Sequence, residues 1–201
     1  MGNLRVAWDA NGALATEKAA AYSQRFAGDR ASMVVDVVAS RQRRYTTRVA
    51  SLVAEFRTSG VTALVDLETA QEVPISGLRS GEADTMRAVA AGLLAWGAAK
   101  AAPIISDDDL VTGWASWAAP FDLAPSIDSY VGSVKGIGPA LYAYLRMRSG
   151  GDGIKPDLRV RKRLVDLGFA VPRGDTGLLL LAWAAAEDLG VRRLQLDQLL
   201  W

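Results

Sequence analysis

Apolar residues recur at i, i+3, i+4 and i+7 along most of this chain, and the strict alternation of a half-buried strand is rare. That periodicity predicts helices over 16–26, 32–39, 45–59, 64–69, 81–98, 107–118, 126–134, 139–149, 158–167, 175–189 and 196–201. The expected class is all-α, a compact helical chain over residues 1–201 of the size of one domain or two intimate lobes. The most apolar run, Gly177 to Ala186, is about half the length that spans a bilayer and so predicts a buried helix. Ser106 ahead of Asp107, Asp108 and Asp109 predicts an N-cap followed by acids that complement the helix dipole, in preference to a metal cluster. Trp114 and Trp117, three apart on the helix that follows, predict core contacts.

Composition narrows the chemistry. The 201 residues are half apolar and 22% charged, enough for a substantial core. With no cysteine, the sequence excludes disulfides, thiolate zinc sites, iron-sulfur clusters and cysteine nucleophiles. With no histidine, it excludes Ser-His-Asp triads, imidazole bases and histidine metal cages. Catalysis must rest on carboxylates, Lys, Tyr, Ser or Thr, and neither a cofactor nor a metal cluster is expected. Met1 to Tyr22 carries no apolar signal core, and Val6 departs from the myristoylation pattern, so a cytoplasmic monomer without membrane partners is expected. The formal net charge is only +1, so binding to nucleic acid must rely on local clusters. Two such clusters occur, one of Arg41, Arg43, Arg44 and Arg48 and one of Lys155, Arg159, Arg161, Lys162 and Arg163.

One segment combines these features. From Ser126 the chain reads SIDSYVGSVKGIGPALYAYLRMRSGGDGIKPDLRVRKRL. Gly136, Ile137 and Gly138 stand between two short amphipathic stretches, as suits a tight hairpin with one apolar anchor. Pro139 at the first helical position would leave free N–H groups pointing outward, a cradle for phosphate that grips a nucleic-acid backbone without reading bases. Nineteen residues after Gly138, past a Gly-rich loop, Asp157 can cap the helix beginning at Leu158.

This order resembles the helix-hairpin-helix DNA glycosylases, the superfamily of endonuclease III and alkyladenine glycosylase. Their pattern runs Leu-Pro-Gly-Val-Gly, a helix, a Gly-rich loop, then Val-Asp-Thr-His-Val. Here the helix-hairpin-helix falls at about 126–149 and the catalytic loop at about 150–163; Lys135 replaces the proline, and Arg159 stands at the histidine position. VVDVVASRQRRY, from Val34 to Tyr45, is similar to the family's early helix ending in Ser-x-Gln, with Ser40 and Gln42 on those positions. The ending LDQLLW, from Leu196 to Trp201, is similar to that of several members.

The resemblance implies a two-lobed glycosylase fold, double-stranded DNA as partner, a place in base excision repair, and a bacterial nucleoid location. It implies Asp157 as the catalytic carboxylate, complemented by the helix N-terminus, Lys155 and Arg159, and stabilising positive charge that develops on the sugar. Lys135, Gly136, Ile137, Gly138, Arg41, Arg44, Lys155 and Arg159 are the implied DNA contacts, with a monovalent cation at the hairpin carbonyls as a further element. Gln42 is the implied wedge that fills the gap left by an extruded nucleotide. Tyr45, Tyr142 and Trp183 are candidates to stack on the flipped base. Strand-cleaving members carry a lysine two residues after the second hairpin glycine; here it is Ala140, which implies a monofunctional enzyme using water. A non-catalytic DNA-binding module and a helical protein-interaction domain are the open alternatives.

Overall fold

The computed structural model describes residues 2–101 and 104–201. Among these the regular structure is entirely helical: α1 (Gly2–Ala21), α2 (Arg30–Ala39), α3 (Ala50–Arg57), α4 (Leu64–Thr69), α5 (Glu82–Ala98), α6 (Asp107–Trp117), α7 (Pro139–Arg148), α8 (Leu158–Asp166), α9 (Asp175–Leu189) and α10 (Arg193–Leu200). Short 3₁₀ turns occur at Gln24–Phe26, Ala119–Phe121 and Pro125–Ile127, and a π turn at Tyr45–Val49 leads into α3. No described helix is long and apolar enough to cross a membrane; α9, which contains the most apolar run, buries Leu178, Leu179, Ala182, Ala185 and Ala186.

Burial divides the chain into two apolar cores. The larger is built from α2 to α7 and centres on Val34, Leu52, Phe56, Met86, Leu93, Trp114 and Leu145. The smaller joins the two ends of the chain, with Leu4 of α1 packed among Ile154, Val160, Leu164, Leu178, Ala182, Leu196 and Leu200. Ala19, Met147 and Leu194 form a third small cluster, with Tyr22 packed against it. Arg5 fastens α1 to the end of α9 by donating to the carbonyls of Asp188 at 3.1 Å and Leu189 at 3.4 Å. The expectation of a first helix at 16–26 is corrected at both ends, since α1 starts at Gly2 and stops at Ala21. Its buried residues are Leu4, Gly12, Ala15 and Ala19, mostly small, so the apolar stripe is faint in the sequence.

The expected helix over 126–134 does not form. The Asp128 carboxylate is fully buried and accepts from the backbone N–H of Tyr130 at 2.9 Å and Val131 at 3.2 Å, offering that backbone a turn in place of a helix. Its other oxygen accepts from Trp114 Nε1 and the Tyr142 hydroxyl. A Cβ on Gly132 would lie 1.8 Å from the Pro125 carbonyl oxygen, so the turns close on themselves. The hairpin is therefore a turn-rich loop entering α7.

At α6 the aspartates serve as helix acids. Ser106 caps by accepting from Asp109 N, Asp107 accepts from Leu64 N at the start of α4, and Asp108 pairs with buried Arg30. Trp114 is fully buried. Trp117 is partly exposed and meets Trp96, Phe121 and Tyr130 in an aromatic cluster.

Candidate active site

The hairpin rests on α5. Gly136 has φ +98°, a left-handed conformation that favours glycine, and a Cβ there would meet Thr85 Oγ1 at 2.8 Å. The same position lies 3.5 Å from Arg41 Nη1. Thr85 Oγ1 is 3.0 Å from the Lys135 carbonyl, and Ile137 is buried in the larger core as the apolar anchor. Gly138 differs, with extended backbone and nothing within 4 Å of a Cβ. It precedes α7, which has Pro139 in its first turn and no side-chain cap, so the N–H groups of that turn have no side-chain partner. Of the hairpin carbonyls, those of Val134 and Gly138 accept from Ile137 N and Tyr142 N, while the single Thr85 hydroxyl proton lies within reach of both Gly81 O at 2.9 Å and Lys135 O at 3.0 Å.

This asymmetry separates the two glycines. Gly136→Ala should strain the turn, whereas Gly138→Ala should be tolerated sterically; if the hairpin grips duplex DNA as the resemblance implies, Gly136→Ala should also weaken binding to every sequence. Fluorescence anisotropy with unrelated duplexes checks this; equal affinities for parent and Gly136→Ala would remove the hairpin from the interface.

The segment after α2 lies beside the hairpin. Gln42 is exposed and is the single non-glycine residue with positive φ, at 53°, among those described. Arg79 holds this turn by donating to the carbonyls of Arg41 at 3.0 Å and Gln42 at 3.4 Å. The Gln42 side chain thus stands on a backbone fixed from beneath. Arg41 and Arg44 are exposed, while Arg43 forms a buried bidentate pair with Glu82 at 2.6 and 2.8 Å. The upstream basic cluster therefore keeps Arg41, Arg44 and Arg48 toward solvent and commits Arg43 to the fold.

Asp157 is the N-cap of α8. A single oxygen, Oδ1, accepts from Arg159 N at 2.9 Å and Val160 N at 3.0 Å. Oδ2 faces Lys155 Nζ at 4.0 Å. Capping thus occupies Oδ1 and leaves Oδ2 outside the cap. Lys155, expected among the surface DNA contacts, lies at the floor of this site with its side chain 10% exposed, against 22% for Asp157. Its ammonium stands 4.1 Å from the Tyr144 ring centroid and 3.4 Å from Ser40 Oγ. Burial pushes the Lys155 amine below the ordinary lysine value, opposed by Asp157, Asp197 and Asp36 and assisted by Arg148.

Behind Lys155 lies a buried polar network that sequence reasoning missed. The Tyr144 hydroxyl donates to Asp36 Oδ2 at 2.5 Å and accepts from Arg148 Nη2 at 3.0 Å; Arg148 also stacks 4.0 Å from the Tyr22 ring centroid. Two atoms here have no hydrogen-bond partner among the described residues, Asp36 Oδ1 and the Tyr45 hydroxyl. Burial, then the Asp36 carboxylate, push the Tyr45 hydroxyl up to about 12. The signal was present as an acid within the apolar run Val34–Val38 and as Tyr144 and Arg148 at i, i+4 on α7.

Of the stacking candidates, half-buried Tyr45 belongs to this neighbourhood. Tyr142 is fully buried between Trp114 and Asp128, which makes it core. Trp183 packs on the smaller core with Arg193 3.8 Å over its ring. Arg159 is exposed and lies 4.1 Å from the Trp201 ring centroid, along a cleft of about 440 Å³ also lined by Lys162, Arg163 and Asp166.

Asp197, within the ending similar to the family, is fully buried and accepts from Lys155 N at 2.9 Å, fixing the loop that leads to Asp157. Burial raises its carboxyl from 3.8 to about 7, so the folded protein keeps a proton that the unfolded chain releases between those values. Its contribution to stability is therefore fully present below about 3.8 and is lost as pH rises to about 7. Asp197→Asn should gain stability relative to the parent across that window, as urea titrations at pH 5 and pH 8 would measure. A difference that does not change with pH would refute it.

Neither a family model, a curated protein nor a solved structure matches this chain.

Proposed function

We propose that this protein is a DNA N-glycosylase that extrudes a nucleotide from duplex DNA and excises its base with Asp157 as catalytic carboxylate. The observation that carries the reading is the convergence of three segments far apart in sequence: Arg41 beside Gly136, Ser40 beside Lys155, and Lys155 beside Asp157. These are the segments in which the chain resembles helix-hairpin-helix glycosylases. The hairpin and α7 start would hold phosphate through backbone N–H groups, with Arg41, Arg44 and Lys135 adding charge. Gln42, held out on its left-handed turn, would enter the stack as the nucleotide leaves. Asp157 Oδ2, free of capping, would stabilise the oxocarbenium-like sugar as the glycosidic bond stretches.

The rival reading, a DNA-binding module without catalysis, draws on Arg159 at the family's histidine position. Both readings require affinity that falls steeply with salt, with a logarithmic slope of about −0.9 per neutralised phosphate. Duplexes bearing alkylated, oxidised, deaminated or bulky modified bases separate them. Excision yields alkali-labile abasic sites in at least one duplex, whereas the module binds and yields none.

A further inference from the structure

Ala140 leaves the start of α7 without an amine, yet an amine stands at the candidate site from the opposite side. Lys155 Nζ is 4.0 Å from Asp157 Oδ2, 3.4 Å from Ser40 Oγ and 4.1 Å from the Tyr144 ring centroid, on a side chain 10% exposed. Its backbone N–H is fixed by Asp197, and Pro156, which follows, is buried, so the amine is held on a stiff segment. Most surface lysines are flexible, solvated ammonium groups; this one sits under the carboxylate assigned to the reaction.

We propose that Lys155 is an imine-forming nucleophile toward the deoxyribose of an abasic site in duplex DNA, which would make the protein a strand-cleaving lyase as well as a glycosylase. The proposal rests on the reading of Asp157 as facing the sugar. Neutral Nζ adds to the C1′ aldehyde carbon of the ring-opened sugar, its lone pair forming the N–C bond as the carbonyl pair moves to oxygen. That oxygen takes one proton from nitrogen and one from solvent and leaves as water, giving a protonated imine. Asp157 Oδ2 then accepts the C2′ proton, and the C–H pair converts the iminium to an enamine. The enamine expels the 3′ phosphate with the C3′–O pair, and water hydrolyses the conjugated imine to free Lys155.

Two features of the site favour the neutral amine that this sequence needs. Burial works against the ammonium, as does Arg148 behind Tyr144. Asp157, Asp197 and Asp36 oppose them and retain the proton until the sugar arrives. The trapping rate should therefore rise with pH and level off below the ordinary lysine value of 10.5.

The test uses the full chain and a duplex with one abasic site, reduced with borohydride. The parent should yield a covalent adduct that peptide mapping assigns to Lys155. Lys155→Arg keeps the cation but cannot form an imine, so trapping should fall about 10²-fold, with melting temperature and affinity for the abasic duplex measured beside it to show that the variant is folded and bound. Lys18→Arg, an exposed lysine on α1 away from the candidate site, should trap like the parent. An adduct mapped to Lys135 or the N-terminal amine, or undiminished trapping by Lys155→Arg, overturns the proposal. If Lys155→Arg does not fold, the mapped position of the parent's adduct decides alone. Base release without any adduct overturns the lyase step and leaves the glycosylase standing. An adduct on Lys155 without base release from any duplex supports the lyase and counts against the glycosylase.

Discussion

Asp157→Asn should cut excision by about 10²–10³-fold while leaving the fold and DNA affinity in place. Oδ1 alone accepts the two capping N–H groups, and asparagine offers a carbonyl oxygen of the same reach. What the substitution removes is the charge on Oδ2, the oxygen facing Lys155. Ground-state binding does not need that charge, and it should tighten slightly once a negative group facing phosphates is gone. On the proposed mechanism the transition state does need it, since positive charge appears on the sugar only as the bond breaks. Asp157→Ala provides the contrast, because it loses the cap as well and should cost about 1 kcal/mol of stability. Single-turnover excision beside thermal melting separates the two effects. If the asparagine variant excises as fast as the parent, Asp157 is a cap and nothing more.

Asp122→Ala should be the most damaging change to stability, at about 3–5 kcal/mol, a melting temperature lower by on the order of 10 °C. Asp122 and Arg146 are both nearly fully buried and joined by two hydrogen bonds of 2.6 and 2.7 Å. The remaining Arg146 donors reach the carbonyls of Ala115 on α6 and Asp152 in the loop before Asp157. Burial pushes the Asp122 carboxyl up and Arg146 draws it back, the balance expected where two charges leave water together. Removing the carboxylate strands a guanidinium in the interior. Because Asp152 also caps α10 through Arg193 N and Leu194 N, the loop that carries Lys155 and Asp157 should loosen, and excision should fall with stability. Replacing both partners with apolar residues of similar volume should restore much of the lost stability. Denaturant titration of the two single variants and the double variant measures the coupling. Additive losses would mean that the pair is not a unit.

The helical skeleton was legible where apolar residues recur at helical spacing, as in α4, or form one continuous apolar run of helical length, as in α9, and the bounds 64–69 and 175–189 match the expectation. It failed at 126–134, where one aspartate side chain competes for the backbone, a contest invisible to periodicity. In the site, residues whose role depends on backbone were readable. Gly136 and Asp157 carry their turn and cap in their identity, and the structure has both. Residues whose role depends on partners were not. Lys155 reads as one more cation in a basic run, and only tertiary packing brings it under Tyr144 and beside Ser40. Tyr142 and Tyr45 look alike in sequence, but Asp128 takes the hydroxyl of one and the other is left without a partner.

The most direct test of base excision does not require knowing the base. Genomic DNA from several sources, including DNA rich in modified bases, is incubated with the parent and with Asp157→Asn, and the small-molecule fraction is analysed by mass spectrometry. The account predicts one or more free bases released by the parent, each matched by an abasic site in the DNA, and a yield from the asparagine variant lower by about 10²-fold or more. DNA that is bound tightly and with a steep salt dependence, yet yields no free base with either protein, would contradict it.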